Sequence, residues 1–425
     1  MKRQTRALLT SVLLVFGVGI SGQSVPAAHW VGTWATSPVG RLGTPPPAPV
    51  PSTPPVPGAA GRGNAPAPFV PNNQTLREIV HTSLGGDALR IVVANSFGTA
   101  PLQVGAASVA LHESGSAIVT ATSHAVTFGG KPTATVPAGA VMMSDPVTMT
   151  LPAFSDLAVD LFLPQDMSTM PVTLHAAAHQ TSYASAGNHA GEHDLTASTT
   201  TSWYYLSRVE VRTTARTAAV VALGDSITDG TGSTLDANSR WPDLLARRLA
   251  AQGGGGVTTA VLNAGIGGNQ LLGQGNPNAG TNVLARFDRD VLALAGATHV
   301  VVMEGINDIG LARENVTPGA ADLIAAQQQI IERAHAHGLK VIGATLTPFE
   351  GATYFTAAGE AKRAAVNTWI RTGKAYDGVI DFDAAVRDPQ APTKFQAQYE
   401  SGDHLHPSDA GYQAMSRAID LALFQ

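Results

Sequence analysis

A serine that attacks a carbonyl needs a base to take its proton and a third group to orient that base. The stretch from Ala218 to Gly230 offers such a serine. Six apolar residues, Ala218 to Leu223, lead into Gly224-Asp225-Ser226, and Gly230 follows the serine by four positions. A short apolar run that stops at a glycine reads as a buried parallel strand ending in a tight turn. Open α/β sheets hold ligands at the carboxyl ends of their strands. Ser226 therefore stands where such a fold does chemistry. The matching pair lies near the C-terminus, in Asp403-His404-Leu405-His406-Pro407. Asp403 and His406 are close enough in sequence for one loop to present both.

Two further stretches belong with Ser226. Asn263-Ala264-Gly265-Ile266-Gly267-Gly268-Asn269 follows a second apolar run, and Glu304-Gly305-Ile306-Asn307-Asp308 follows a third. Paired glycines let backbone N–H groups approach a ligand closely, and Asn307 offers a neutral amide donor. Acyl transfer builds negative charge on the carbonyl oxygen, and preorganised donors of this kind stabilise it.

Residues 216 to 425 resemble the SGNH/GDSL hydrolase superfamily. Four blocks occur in the family's order: Gly224-Asp225-Ser226, the glycine stretch ending at Gly268, Gly305-Ile306-Asn307-Asp308, and Asp403-x-x-His406. The resemblance implies Ser226 as nucleophile, His406 as general base and Asp403 as its orienting group. It implies an oxyanion hole from the Ser226 N–H, the Gly268 N–H and the Asn307 amide, with Gly265 the alternative glycine donor. It also implies a three-layer α/β/α fold and ester hydrolysis through an acyl-enzyme, without a cofactor. Asp225, Asn263 and Asp308 are expected to hydrogen-bond the surrounding loops in place. Asp229 and Glu304 have no role that the sequence argues.

The elements that must position these residues follow from apolar periodicity. Candidate strands at 218–223, 257–262, 299–303, 340–346 and 378–382 alternate with candidate helices at 241–251, 283–295, 320–337, 357–372 and 408–424. Such alternation implies a parallel sheet covered on both faces. Pro407-Ser408-Asp409 is a helix start, which places His406 just before the last helix. Upstream, β-rich runs at 89–95, 104–111, 125–128 and 157–163 are separated by Gly, Pro, Asn and Asp clusters, as in an antiparallel β-sandwich. The domain reading is therefore a signal peptide over 1–28, a β-rich domain over 29–200, a connection over 201–215 and the α/β domain over 216–425. Within the β domain, 41–73 is dominated by proline, alanine and glycine and reads as a mobile loop.

Lys2, Arg3 and Arg6 precede the apolar segment Leu8–Ile20, and Val25-Pro26-Ala27-Ala28 offers a small-residue cleavage site, the pattern of an export signal. The alternative is an uncleaved N-terminal anchor, but the apolar segment is short for a membrane span. A secreted or periplasmic protein with no stable membrane insertion after cleavage is expected. The formal net charge is −5, and loss of the three basic leader residues makes it three units more negative. That balance excludes a nucleic-acid partner on electrostatic grounds. With no cysteine in the chain, disulfides and thiol catalysis are excluded.

His189-Ala190-Gly191-Glu192-His193 matches the H-x-x-E-H string of some zinc proteases. That chemistry needs a helix to bring both histidines to one face, and the flanking residues are loop-like. A polar connection is expected there, and no metal site. Asp403 with His404 and His406 could hold a metal only with a further ligand that the sequence does not show. Trp30 and Trp34 read as a strand tied into a core, the alternative being a sugar-stacking platform. The substrate expected from these features is a small-molecule or glycan ester carrying a small acyl group, acetyl foremost. The alternatives are a lipase or aryl esterase of broader specificity, and an inactive exported carbohydrate-binding protein using Trp30, Trp34 and Trp203. Gly273 to Gly280 departs from a compact family loop and is expected to shape the substrate entrance.

Overall fold

The computed structural model describes residues 27–42, 70–253, 256–273, 279–311 and 318–425. Residues 1–26 of the expected signal peptide over 1–28, residues 43–69 of the expected mobile loop over 41–73 and the loop residues 274–278 lie outside the described residues; the ends of that expected loop are strand instead, within Val39–Leu42 and Asn72–His81. Among the described residues, no helix is long and apolar enough to cross a membrane.

The N-terminal half is built from antiparallel strands. Its main members are His29–Ala35 (β1), Asn72–His81 (β2), Gly86–Ala94 (β3), Ala106–Ser114 (β4), Asp156–Asp166 (β5), Pro171–His175 (β6), Ser182–Ala186 (β7) and Leu206–Thr213 (β8). One sheet carries β1, β8 and β3 side by side, and a second carries β7, β2, β5 and β4. Leu89 and Ile91 of the first sheet share a core cluster with Leu76, Val80, Val159 and Leu161 of the second. The apolar alternation of each strand thus buries one face against the other sheet.

The stretch 201–215 is not a connection. Its β8 segment pairs with β1 on one side and β3 on the other. Arg208, Glu210 and Arg212 interrupt its apolar pattern in sequence, but the Glu210 carboxylate meets Arg90 of β3 at 2.6 Å. Paired in this way, the charged strand sits in the sheet interior. The β domain therefore runs to Thr213.

The C-terminal half is a parallel sheet of Arg216–Gly224 (β9), Val257–Gly265 (β10), Ala297–Met303 (β11), Lys340–Ala344 (β12) and Gly378–Ile380 (β13). The spatial order is β10-β9-β11-β12-β13. The chain passes from β9 to β10 on one side, then crosses to β11 on the other. That reversal opens a crevice at the carboxyl end of β9. Gly224 is level with Gly265 of β10 and with Met303 of β11, so the three following loops leave the sheet together.

The helices are Ser226–Asp229 (α1), Trp241–Gln252 (α2), Val283–Phe287 (α3), Ile306–Gly310 (α4), Ala320–Ala336 (α5), Ala357–Thr372 (α6), Phe382–Val386 (α7) and Asp409–Ala418 (α8). Val220 and Ala222 face a core cluster with Trp241, Leu245, Phe382, Tyr412 and Met415. Ala219, Val221 and Leu223 face the other cluster, with Phe287, Leu323, Ile330 and Val366. Each fully buried Leu, Ile, Val or Phe contributes about 1.5–3 kcal/mol. Three elements differ from expectation. The helix expected over 283–295 stays α-helical only to Phe287 and continues as a π-type turn over Asp288–Leu292. β13 ends at Ile380 because Asp381 caps α7, its carboxylate accepting from the Ala384 N–H at 3.1 Å. The last helix ends at Ala418, and a separate 3-10 turn spans Leu421–Phe424.

The β domain lies directly on the sheet face that carries Ala219, Val221 and Leu223. Val31 shares their cluster, and the Gly32 N–H donates to the Ala295 carbonyl at 2.9 Å. A Cβ on Gly32 would stand 2.8 Å from the Leu262 side chain of β10, so glycine lets the two backbones come close.

Candidate active site

Ser226 opens α1, a single helical turn capped at both ends. The Asp225 carboxylate accepts from the Ile227 N–H at 2.9 Å, and Gly230 closes the turn at φ 118°. The approach to the serine is crowded. A Cβ on Gly224 would lie 2.2 Å from Thr228 Oγ1 and 2.6 Å from the Met303 carbonyl oxygen, and one on Gly265 would lie 2.3 Å from the Asp229 nitrogen. Glycine at both positions is what lets the turn sit between two neighbouring strand ends.

The loop before α8 delivers the other two members. Asp403 Oδ1 accepts from the backbone N–H groups of Leu405 and His406 at 3.0 and 2.9 Å. Asp403 Oδ2 lies 2.5 Å from His406 Nδ1, and His406 Nε2 lies 2.8 Å from Ser226 Oγ. A carboxylate only accepts, so Nδ1 carries the proton and Nε2 is free to accept from the serine hydroxyl. Partial burial works against the Asp403 charge. The His406 hydrogen bond and charge and the two backbone donors outweigh it, and they hold the carboxyl well below the usual carboxylate range. The loop is anchored at its far end, where Tyr412 of α8 donates to the Thr231 carbonyl at 2.7 Å.

The expected oxyanion donors lie on the two loops that flank this turn. Gly268 adopts φ 76° in the turn that the Asn269 N–H closes on the Ile266 carbonyl. Among the described residues, neither the Ser226 nor the Gly268 N–H has an acceptor. Asn307 Nδ2 donates to the Asn269 carbonyl at 3.0 Å, and Tyr354 donates to Asn307 Oδ1 at 3.4 Å. Those contacts fix which way the amide faces and leave its second hydrogen for another acceptor.

Asn263 and Asp308 each tie a loop. Asn263 bridges the Thr228 carbonyl and the Gly265 N–H. Asp308 accepts from the N–H groups of Leu271, Leu272 and Gly273. Beneath the serine, Asp225 keeps one carboxylate oxygen without a hydrogen bond. Burial, with Asp308 and Asp229 adding, pushes its carboxyl up to about 6 against the pull of the Ile227 N–H and His406. Glu304 is fully buried. Burial, and after it the Asp225 charge, push its carboxyl well above the usual range.

The His189–His193 string is a loop. His189 bonds Glu192 and the Ala186 carbonyl, while His193 faces Glu113 and Asp194. The carbonyls of Glu192 and His193 accept from the buried Arg77 guanidinium, which pairs with Asp160 at 2.7 Å. His404 pairs with Glu400 at 3.2 Å, away from the serine. Trp34 and Trp203 are buried edge to face, with ring centroids 4.9 Å apart. They form core packing and cannot serve as a sugar platform.

Residues 222–414 match the GDSL-like Lipase/Acylhydrolase family. The matched span contains Ser226, Gly268, Asn307, Asp403 and His406. No curated protein sequence matches the chain. Among solved structures, the GDSL-like segment is similar to an aryl esterase of M. smegmatis, at 14% identity and TM-score 0.38 over 47% of this chain and 95% of that one. It is similar to a GDSL-like lipase from Bacteroides thetaiotaomicron, at 19% identity and TM-score 0.34 over 48% and 87%. It is also similar to a member of the lipolytic protein G-D-S-L family from Veillonella parvula, at 19% identity and TM-score 0.34 over 47% and 95%.

The structure adds residues around the GDSL-like site that sequence reasoning did not reach. The buried Arg286 of α3 donates to the carbonyls of Gly224 and Ala264 and to Asn269 Oδ1, at 3.0, 2.8 and 2.9 Å. It joins the serine turn to the glycine loop. Asp229 accepts from the Gly267 N–H at 3.0 Å and meets His175 of the β domain at 2.9 Å. A lone arginine in an apolar helical turn is a local hint of the first. No local signal marks His175.

Proposed function

We propose that the chain is a secreted serine esterase that removes small acyl groups, acetyl foremost, from carbohydrate esters. The observation that carries the chemistry is the continuous Ser226–His406–Asp403 chain of hydrogen bonds at the switch point of the parallel sheet. His406 Nε2 takes the hydroxyl proton as Ser226 Oγ bonds to the ester carbon. The carbonyl oxygen gains the charge, facing the Ser226 and Gly268 N–H groups and the Asn307 amide. The tetrahedral adduct breaks its bond to the alkoxide, which leaves with the proton from His406. Water then attacks the acyl-serine by the same route, and the serine is restored. Each donor lost from such a hole costs about 2.7–4 kcal/mol of transition-state stabilisation.

The three-layer α/β/α arrangement of the SGNH superfamily is part of this proposal, and the helix residues packed against each sheet face support it. The finer assignments rest on separate features. A small acyl group is favoured because few large apolar residues are exposed among the described residues, Leu235, Leu272 and Leu311 among them. A long acyl chain needs a contiguous apolar wall. Export is supported by the basic and apolar leader pattern. Outside the cell, acylated polysaccharide is a fitting substrate.

The test is turnover of p-nitrophenyl acetate, butyrate and octanoate beside acetylated polysaccharides. Wild type is expected to release acetate fastest and Ser226→Ala to be inert. Equal rates for the two proteins would sink the esterase assignment. A preference for octanoate would overturn only the acyl assignment.

A further inference from the structure

The β domain reaches the reaction centre through one buried histidine. His175 stands at the end of β6 with its ring tilted against Trp203, centroids 5.6 Å apart. Its Nδ1 lies 2.9 Å from the Ser37 carbonyl and its Nε2 2.9 Å from Asp229 Oδ1. The other Asp229 oxygen accepts from the Gly267 N–H at 3.0 Å. Gly267 directly precedes Gly268, the glycine donor of the oxyanion hole. Both ring nitrogens face oxygens, and His175 and Asp229 are each nearly solvent-free. Removing one partner of a buried, hydrogen-bonded pair leaves the other unsatisfied. The Asp229 carboxylate is thus clamped between His175 on one oxygen and the Gly267 N–H on the other.

We propose that His175 is a positioning residue for ester hydrolysis. Through Asp229 it fixes the Gly267–Gly268 peptide, so the β domain supplies part of the support of the oxyanion hole. A second path runs in parallel. Arg286 donates to Ser37 Oγ at 3.1 Å and also to the Gly224 and Ala264 carbonyls. Ser37 thus meets His175 through its carbonyl and Arg286 through its hydroxyl. The segment after β1 touches both supports of the serine turn.

Because this role presupposes the ester hydrolysis proposed above, its test needs a readout with and without turnover. Two full-length variants separate the two bonds of the ring. The amide of His175→Asn can reach toward Ser37 but falls short of Asp229. The longer His175→Gln places a donor near the former Nε2 and can still reach Asp229. With p-nitrophenyl acetate, His175→Asn is expected to lose about 10- to 100-fold in kcat with KM within about 2-fold, part of what a lost oxyanion donor costs. His175→Gln is expected to recover most of that loss. Equal kcat in wild type and a folded His175→Asn would overturn the role. So would equal losses in the two variants, which would point to general destabilisation. If His175→Asn does not fold, Asp229→Ser, too short to reach either partner, carries the same expected loss. Hydrogen–deuterium exchange over residues 265–269 gives the readout without turnover. Faster exchange in His175→Asn supports the role even if wild type is inert on every ester, and unchanged exchange counts against it.

Discussion

Arg286 donates to the carbonyl of Gly224, two residues before Ser226, at 3.0 Å, although 62 positions separate the two in sequence. The guanidinium is fully buried against Asp290 at 3.2 Å. Its donors are spent on the serine turn, the glycine loop and the β domain.

Loss of this hub is expected to cost both stability and rate. Arg286→Met leaves Asp290 buried beside Arg289 alone and strips three carbonyl or amide acceptors. Breaking a buried pair in this way costs about 3–5 kcal/mol. Urea denaturation should show the loss. Arg286→Lys should recover little of it, because one ammonium cannot reach the positions that a planar fork spans. A lysine variant as stable and active as wild type would show that the fork geometry is immaterial.

Asp403 stays ionised throughout the working pH range, since His406 and two backbone N–H groups hold its carboxyl low against partial burial. Its charge is lost only as pH falls through that depressed value, well below the range in which the rate is measured. In the proposed mechanism this anion holds Nδ1 of the imidazole protonated and leaves Nε2 to accept the serine proton. Asp403→Asn should lower kcat by about 10²–10⁴-fold by releasing the imidazole from its tautomer. Steady-state kinetics with p-nitrophenyl acetate check the loss, and an unchanged kcat would take Asp403 out of the relay.

The structure also contains a handle on acid stability. His299 of β11 is 6% exposed, and its Nε2 has no hydrogen-bond partner among the described residues. Burial, with the Lys340 charge adding, pushes its imidazole down from 6.5 to about 4, against the pull of Asp377. The unfolded chain thus binds this proton more readily than the folded one. Stability is full above pH 6.5 and falls as pH drops towards 4. His299→Gln removes the titration. Its urea midpoint should therefore fall less than that of wild type between pH 7 and pH 4.5. Parallel losses in the two proteins would rule out His299 as the source.

The parts of the site that read directly from sequence are those made by neighbours in the chain. The apolar run into Gly224-Asp225-Ser226 announces a strand and a turn because both are local. Asp403 and His406 share one loop, and the structure sets their side chains 2.5 Å apart. What did not read out is made by contacts between distant segments. His175 and Asp229 lie 54 positions apart, and Arg286 and Ser37 lie 249 apart. No periodicity relates such pairs. β8 escaped notice for another reason. Its charges look solvated until the neighbouring strand supplies Arg90 to Glu210. Glu304 and Asp229 gave no hint of their parts, because burial, which decides what each carboxyl does, is invisible in a string of letters.

Only Thr214 and Ala215 lie between β8, clasped by β1 and β3, and β9, clasped by β10 and β11. So short a seam joins two strands that are each paired on both sides. The contacts that Val31 and Gly32 make across the seam hold the two halves together there. Engineers hoping for a trimmed catalyst would meet the same constraint. Cutting at the seam would bare the greasy floor around Leu262 to water, and the amputated half would clump.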